Sequence, residues 1–166
     1  IWSAGCSSGE EPYSITSVIL GKMASMSHWD IRILATDLDT NMLQKGRAGI
    51  YEKSSIEKIP DTYKQAFSEI TTLKKDVFHI KQKAKNLVSF NQLNLLHKWP
   101  MKRKFDAIFC RNVLIYFDGP TKETLVRRYS DMLMPGGLLF LGHSESLAIP
   151  TPGLSLIGRT SYIKES

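Results

Sequence analysis

Glu10 and Glu11 stand side by side directly after the glycine- and serine-rich stretch Gly5-Cys6-Ser7-Ser8-Gly9. A turn of that kind commonly cradles phosphate, but no Gly-Lys-Ser/Thr follows and the glycines depart from Gly-x-Gly-x-x-Gly. Two carboxylates at this place repel a pyrophosphate and suit a ligand that carries hydroxyls or a positive charge. Glu10 reads as a complement to a helix dipole, and Glu11 as the better ligand candidate. Asp37, in Thr36-Asp37-Leu38-Asp39-Thr40, is placed to accept hydrogen bonds from both ribose hydroxyls of a nucleoside. Asp39 lies nearer a helix start and reads as a turn residue. In Phe105 to Asp118 an apolar run breaks abruptly into Cys110, Arg111 and Asn112. Such a break marks the carboxyl end of a strand, where open parallel sheets bind ligands, although Arg111 and Asn112 equally suit an ordinary loop. Asn94 carries an amide suited to an adenine edge or to a turn. Tyr116, by its spacing, is an aromatic core residue with a satisfied hydroxyl. His143 reads as structural, because the nucleophile elbow of a serine hydrolase is missing.

These residues need a scaffold that delivers them to strand ends, and the apolar pattern predicts one. Ile1 to Ala4 reads as a strand stub running into the Gly5–Gly9 turn. A helix follows, with Ser7 and Glu10 as its capping box, Pro12 in its first turn, and Ile15, Val18, Ile19, Met23 and Met26 at helical spacing. Further strands are expected at Ile31–Ala35, within Leu87–Leu96, around Ala107–Phe109 and at Leu138–Gly142. A short helix capped by Thr40 is expected over Asn41–Lys45 and a longer one over Pro120–Met134, ahead of a Pro135-Gly136-Gly137 turn. Short apolar strands alternating with helices predict an α/β fold with a mainly parallel sheet. Between Glu52 and Phe90 that rhythm breaks: Ile56–Ala66 reads as helical, and Ile70–Leu73 with Val77–Lys81 reads as a hairpin turning at Lys74-Lys75-Asp76 without glycine.

The chain has 166 residues, 42% hydrophobic and 23% charged, enough for one substantial core. Within the 166 residues there is no internal repeat and no apolar run long enough to span a bilayer, and no signal peptide is expected among them. Cys6 and Cys110 lie in different motifs without metal-like spacing, which predicts reduced thiols in a cytoplasmic protein and no metal site. The formal charge is +6, with much of the excess at Lys74-Lys75, Lys81, Lys83, Lys85 and Lys98 to Lys104. The aromatic interleaving of a single-strand nucleic-acid binder is missing, so this charge is either a solvated face or an attraction to an acidic partner.

Six blocks in order carry a family resemblance: Gly5–Ser14, Thr36–Thr40, Gly49-Ile50-Tyr51, Asn94-Leu95-Leu96, Phe105–Asp118 and Pro135–Leu147. Together they resemble the CheR-type chemotaxis receptor methyltransferases across nearly the whole chain. The resemblance implies a Rossmann-like class I methyltransferase sheet over residues 1–166, with an antiparallel C-terminal strand and a small antiparallel subdomain inserted at about 52–88. It implies S-adenosylmethionine as cofactor, S-adenosylhomocysteine as product, and a glutamate side chain of a chemoreceptor as acceptor, giving a glutamyl methyl ester. Gly5, Glu11, Asp37, Asn94, Leu95, Arg111 and Asn112 would bind the cofactor, Asp37 at the ribose and Asn94-Leu95 at the adenine. Tyr116 would stand near the transferred methyl group as the catalytic residue. Relatives carry a helical domain ahead of this one, and in some of them the inserted subdomain captures a receptor-tethering peptide by strand addition. Two alternatives remain: the same fold acting on another carboxylate or signalling protein, and a cofactor-binding module without activity.

Overall fold

In the computed structural model, residues 1–22, 29–57, 59–60, 71–145, 147 and 151–166 are described. The elements run β1 (Trp2–Ala4), α1 (Glu10–Lys22), β2 (Ile33–Asp37), α2 (Thr40–Ala48), β3 (Ile50–Glu52), α3 (Lys53–Glu57), β4 (Thr71–Lys74), β5 (Val77–Ile80), α4 (Gln82–Lys85), β6 (Val88–Gln92), β7 (Phe105–Cys110), a 3-10 turn (Leu114–Tyr116), α5 (Gly119–Met132), β8 (Leu133–Leu141), β9 (Leu154–Gly158) and β10 (Ser161–Lys164). They form an α/β fold whose long strands are mainly parallel, with a separate small antiparallel sheet. The chain divides into two compact units, residues 6–92 and residues 1–5 with 93–166.

In the unit of residues 6–92, β2 and β6 pair in parallel from Ile33 against Val88 to Asp37 against Gln92. Ile33, Ala35, Val88 and Phe90 are buried, as alternation along a strand requires. The strand expected at Ile31–Ala35 thus lies two residues further on, and Asp37 is its last residue. Helix α2 is capped by Asp39, whose side chain accepts from the Asn41 N–H at 2.7 Å, so Asp39 takes the role expected of Thr40. Its other end stops at Gly49, which is left-handed at φ 58° and donates to the Lys45 carbonyl. The small sheet has the order β3-β5-β4, all antiparallel, and opens at Ile50, just before the expected insert. Its hairpin turns without glycine because Lys75 takes φ 48°. The expected Ile56–Ala66 helix begins earlier, at Lys53, and residues 58 and 61–66 of it lie outside the described residues, as do Met23, Met26 and Ile70.

Helix α1 forms as expected, but none of the described members of its apolar stripe is fully buried, Ile15 and Ile19 being half-buried. Pro12, Tyr13, Thr16 and Ser17 are buried, whereas Val18 is 50% exposed. The polar pair tolerates burial because each hydroxyl bonds back to the helix, Thr16 to the Pro12 carbonyl at 2.8 Å and Ser17 to that of Ser14 at 2.7 Å.

In the other unit the strand order is β1-β7-β8-β10-β9. β1, β7 and β8 run parallel, while β10 runs antiparallel to β8 and to β9, so the expected antiparallel C-terminal strand is present. Trp2 on β1 is fully buried within an aromatic cluster, its ring 4.8 Å from Trp99, 5.4 Å from Tyr129 and 5.5 Å from Phe105. α5 covers this cluster through Tyr129, and Asp118 caps the helix by accepting from the Thr121 N–H at 2.9 Å. The helix runs Gly119–Met132, with Leu133 already paired to Phe105. The expected turn survives as an excursion in β8, whose register against β7 jumps from Leu133 opposite Phe105 to Leu138 opposite Ala107, with Gly136 at φ 76° between them.

Candidate active site

The serine-rich turn is built by internal hydrogen bonds. The Cys6 N–H donates to the Thr36 carbonyl at 2.8 Å, the Ser7 N–H to Asp37 Oδ2 at 2.8 Å and the Gly9 N–H to the Cys6 carbonyl at 3.0 Å. Ser7 sits at φ 48° and α1 starts at Glu10, so the expected Ser7–Glu10 capping box does not form. Instead the Ser8 hydroxyl lies 2.8 and 2.9 Å from the two oxygens of the Glu10 carboxylate. Gly9, at φ 96°, is required by packing: a Cβ there would meet Tyr51 Oη at 2.9 Å and Gly46 Cα at 3.0 Å. Tyr51 reaches the turn from β3 and donates to the Ser8 carbonyl at 2.8 Å. Burial and the nearby Asp37 carboxylate push the Cys6 thiol up to about 12, and burial pushes the Tyr13 hydroxyl up to about 12.

Asp37, at the carboxyl end of β2, also accepts from the Asp39 N–H through Oδ1 at 2.9 Å. Each of its oxygens therefore takes one backbone donor and keeps capacity for a second. Glu11 is half-buried in the first turn of α1. These acceptors fit a nucleoside with hydroxyl and cationic groups. The turn's N–H groups on Cys6, Ser7 and Gly9 are bonded internally and so are not available to cradle a phosphate, while the carboxylates favour O–H donors and positive charge.

In the unit of residues 1–5 and 93–166, Gly5 and Arg111 follow the paired carboxyl ends of β1 and β7. Gly5 is left-handed at φ 77°, and a Cβ on it would run into Val113 Cγ2. Arg111 and Asn112 are exposed, and Asn112 adopts φ 58°, a rare conformation for a residue with a side chain. The backbone there is fixed by a residue the sequence pattern does not single out. Glu145, only 6% exposed, accepts from the N–H groups of Asn112 at 2.8 Å, Gly142 at 2.6 Å and Ile115 at 3.1 Å. Tyr116, on the 3-10 turn next to Ile115, is 80% exposed, contrary to the core position its spacing suggests. A cavity of about 240 Å³ opens beside that turn, lined by Leu114, Ile115, Lys122, Val126 and Glu145 among others. His143 is exposed and no part of the core.

Asn94 makes a turn: its Oδ1 accepts from the Leu96 N–H at 2.9 Å, and its amide nitrogen lies 3.5 Å from His97 Nε2. Leu95 is buried, with its carbonyl held by Trp99 Nε1 at 3.0 Å and Arg128 Nη1 at 2.6 Å. Arg128 also reaches the His97 carbonyl at 2.5 Å and stacks 3.8 Å over the Trp99 ring, which locks the Asn94–His97 loop from α5. The candidate residues thus fall into two sets: Glu11 and Asp37 in one unit, and Gly5, Asn94, Leu95, Arg111, Asn112 and Tyr116 in the other. Tyr51, Arg128 and Glu145 hold the backbone under them. For Glu145 the sequence offers only a glutamate three residues after Gly142 at the end of an apolar run, a spacing that does not reveal its burial.

Among solved structures, the chain is similar to the CcbJ methyltransferase from Streptomyces caelestis, with TM-score 0.52 and 14% identity over 84% of this chain and 43% of that one. It is also similar to PKMT2 from Rickettsia typhi in complex with AdoHcy, with TM-score 0.50 and 16% identity over 84% of this chain and 20% of that one. The fold is therefore that of the class I S-adenosylmethionine-dependent methyltransferases. Within that class, the family model "CheR methyltransferase, SAM binding domain" matches residues 1–163, and the chain belongs to this family. The chain is 45% identical over 149 residues to a probable chemotaxis protein methyltransferase of Rhizobium etli, covering 89% of this chain and 56% of that protein. It is 41% identical over 164 residues to the chemotaxis protein methyltransferase of Salmonella typhimurium, covering 98% and 57%. It spans somewhat more than half the length of these relatives.

Proposed function

We propose that this chain is the catalytic domain of a methyltransferase that esterifies glutamate side chains on the cytoplasmic domain of a chemoreceptor. The observation that carries the reading is the family match over residues 1–163, together with relatives named as chemotaxis protein methyltransferases at 41–45% identity. When bound, S-adenosylmethionine supplies a methyl group on a sulfonium sulfur, activated toward nucleophiles. Asp37 would accept the ribose hydroxyls, and Glu11 would offer its carboxylate to the cofactor's hydroxyl or cationic groups. Asn94 and Leu95 would hold the adenine, and Gly5, Arg111 and Asn112 would complete the residues that bind the cofactor.

An acceptor glutamate, with an ordinary pKa of about 4.3, is already a carboxylate at neutral pH and needs no general base. The work left to the protein is to strip water from that carboxylate and hold it in line at roughly 3 to 3.5 Å from the carbon it attacks. Tyr116, exposed on the 3-10 turn, orients the acceptor through its hydroxyl. A tethering peptide of the receptor adds as a strand to β4, an edge of the small sheet whose Thr72, Leu73 and Lys74 are exposed.

Calorimetric titration with S-adenosylhomocysteine, with ATP and NAD as controls, tests the cofactor. Transfer of labelled methyl groups to receptor-containing membranes by the intact protein tests the acceptor. Selective binding of S-adenosylhomocysteine and base-labile label in the receptor are expected. In the same assay Tyr116→Phe lowers the turnover roughly 10- to 100-fold while leaving cofactor affinity nearly intact. Label in some other protein, or saturable binding of ATP instead, would defeat the reading.

A further inference from the structure

Among the described residues, Glu145 is a buried carboxylate without a cationic partner, and the three donors seen on it are backbone N–H groups from two loops. Oε2 takes Asn112 and Gly142, and Oε1 takes Ile115. Asn112 and Ile115 belong to the segment that leaves β7, 33 and 30 residues away in sequence, while Gly142 directly follows β8. Gly142 independently marks the same junction. A Cβ on Gly142 would meet Glu145 Oε2, and would lie 2.6 Å from Asn112 Oδ1 and 2.8 Å from Asn112 N. Asn112 holds φ 58° with a full side chain, a conformation that persists where the surroundings over-determine it. The Asn112 N–H bond to a buried carboxylate supplies that constraint, and the Ile115 bond extends it to the turn that carries Tyr116.

We infer that Glu145 is a positioning residue of the methyl-transfer site, which sets Asn112 for the cofactor and the Tyr116 turn for the acceptor. The inference rests on the functional reading above. A glutamine at 145 cannot serve all three donors. If its carbonyl takes the place of Oε2, its NH2 group confronts the Ile115 N–H, and in the reverse orientation the Asn112 and Gly142 bonds are lost.

The test is a double-mutant cycle on the intact protein: wild type, Glu145→Gln, Asn112→Ala and the double variant, each titrated with S-adenosylhomocysteine. Amide hydrogen exchange at residues 112, 115 and 142 is followed in parallel. Glu145→Gln should weaken binding about tenfold or more and speed exchange at those three amides, since hydrogen bonds to a charged acceptor are lost. Asn112→Ala should add less than about twofold to that loss, as expected of residues acting as one unit. Gly142→Ala keeps the carboxylate but displaces it, and a folded Gly142→Ala protein should show the same weakening. Additive losses in the cycle, unchanged exchange in Glu145→Gln, or wild-type affinity in a folded Gly142→Ala protein would each overturn the role. If the wild type itself does not bind S-adenosylhomocysteine, the functional reading fails, and that result is distinct from wild-type binding with additive losses.

Discussion

Asp37 receives one backbone N–H on each carboxylate oxygen, from Ser7 at 2.8 Å and from Asp39 at 2.9 Å. It therefore joins the end of β2 to the serine-rich turn while presenting its remaining acceptor capacity outward. Removing it affects both roles. Asp37→Ala should weaken S-adenosylhomocysteine binding by about 1.5–3 kcal/mol, because the lost acceptor is charged. The same variant should also lower the thermal midpoint, because the Ser7 N–H loses its partner at a residue held at φ 48°. Titration calorimetry and a melting curve read the two effects separately. A variant with a lowered midpoint and unaltered affinity would leave Asp37 as a turn residue alone.

At the scale of elements, the junction from the serine-rich turn into α1 depends on three parts of the 6–92 unit approaching closely. Gly9 of the turn, Gly46 of α2 and Tyr51 of β3 meet there, with Phe90 of β6 beneath: a Cβ on Gly46 would lie 2.5 Å from Phe90 Cε1. Tyr13 of α1 seals the same contact by donating to the Gly46 carbonyl at 2.8 Å. Gly9→Ala both strains a backbone at φ 96° and overpacks this contact, which should cost about 1–3 kcal/mol in a urea unfolding experiment. A loss below about 0.5 kcal/mol would show that the junction can relax around a methyl group. The small sheet thus has a supporting role in the candidate site, since Tyr51 braces the Ser8 carbonyl from β3.

For the whole molecule, several acidic groups are protonated more firmly in the fold than in an unfolded chain. Cys6 is raised from 9.0 and Tyr13 from 10.0, each to about 12, and Tyr51 and Tyr129 are raised as well, all chiefly by burial. Between the unfolded and folded values the unfolded state binds fewer protons, so stability falls as pH rises. The contribution is complete below about pH 8.5 and is lost progressively as pH rises, for Cys6 and Tyr13 up to about pH 12, with a slope of roughly 1.4 kcal/mol per pH unit for each group in transition. Urea midpoints should be level near neutrality and decline from pH 9 upward. A midpoint level to pH 10.5 would contradict this burial. The amino-acid sequence by itself determined the main parallel strands and the helices between them, and favoured a ligand with hydroxyl or cationic groups. Strand alternation and turn residues are local properties, and the carboxylates of Glu11 and Asp37 after a turn without a phosphate-binding lysine already select hydroxyls and cations over phosphate. Local pattern also marked Asn112 as a strand-end residue. Only the tertiary structure decided that Thr16 and Ser17 form the buried face of α1, that Asp39 and not Thr40 caps α2, and that Glu145 and Arg128 hold the loops on which the candidate residues stand. The cap of α2 is a bond over two residues that follows from β2 running on to Asp37. The holds made by Glu145 and Arg128 depend on backbone donors and carbonyls that arrive from 30 or more residues away, and no spacing within a single segment encodes that arrival.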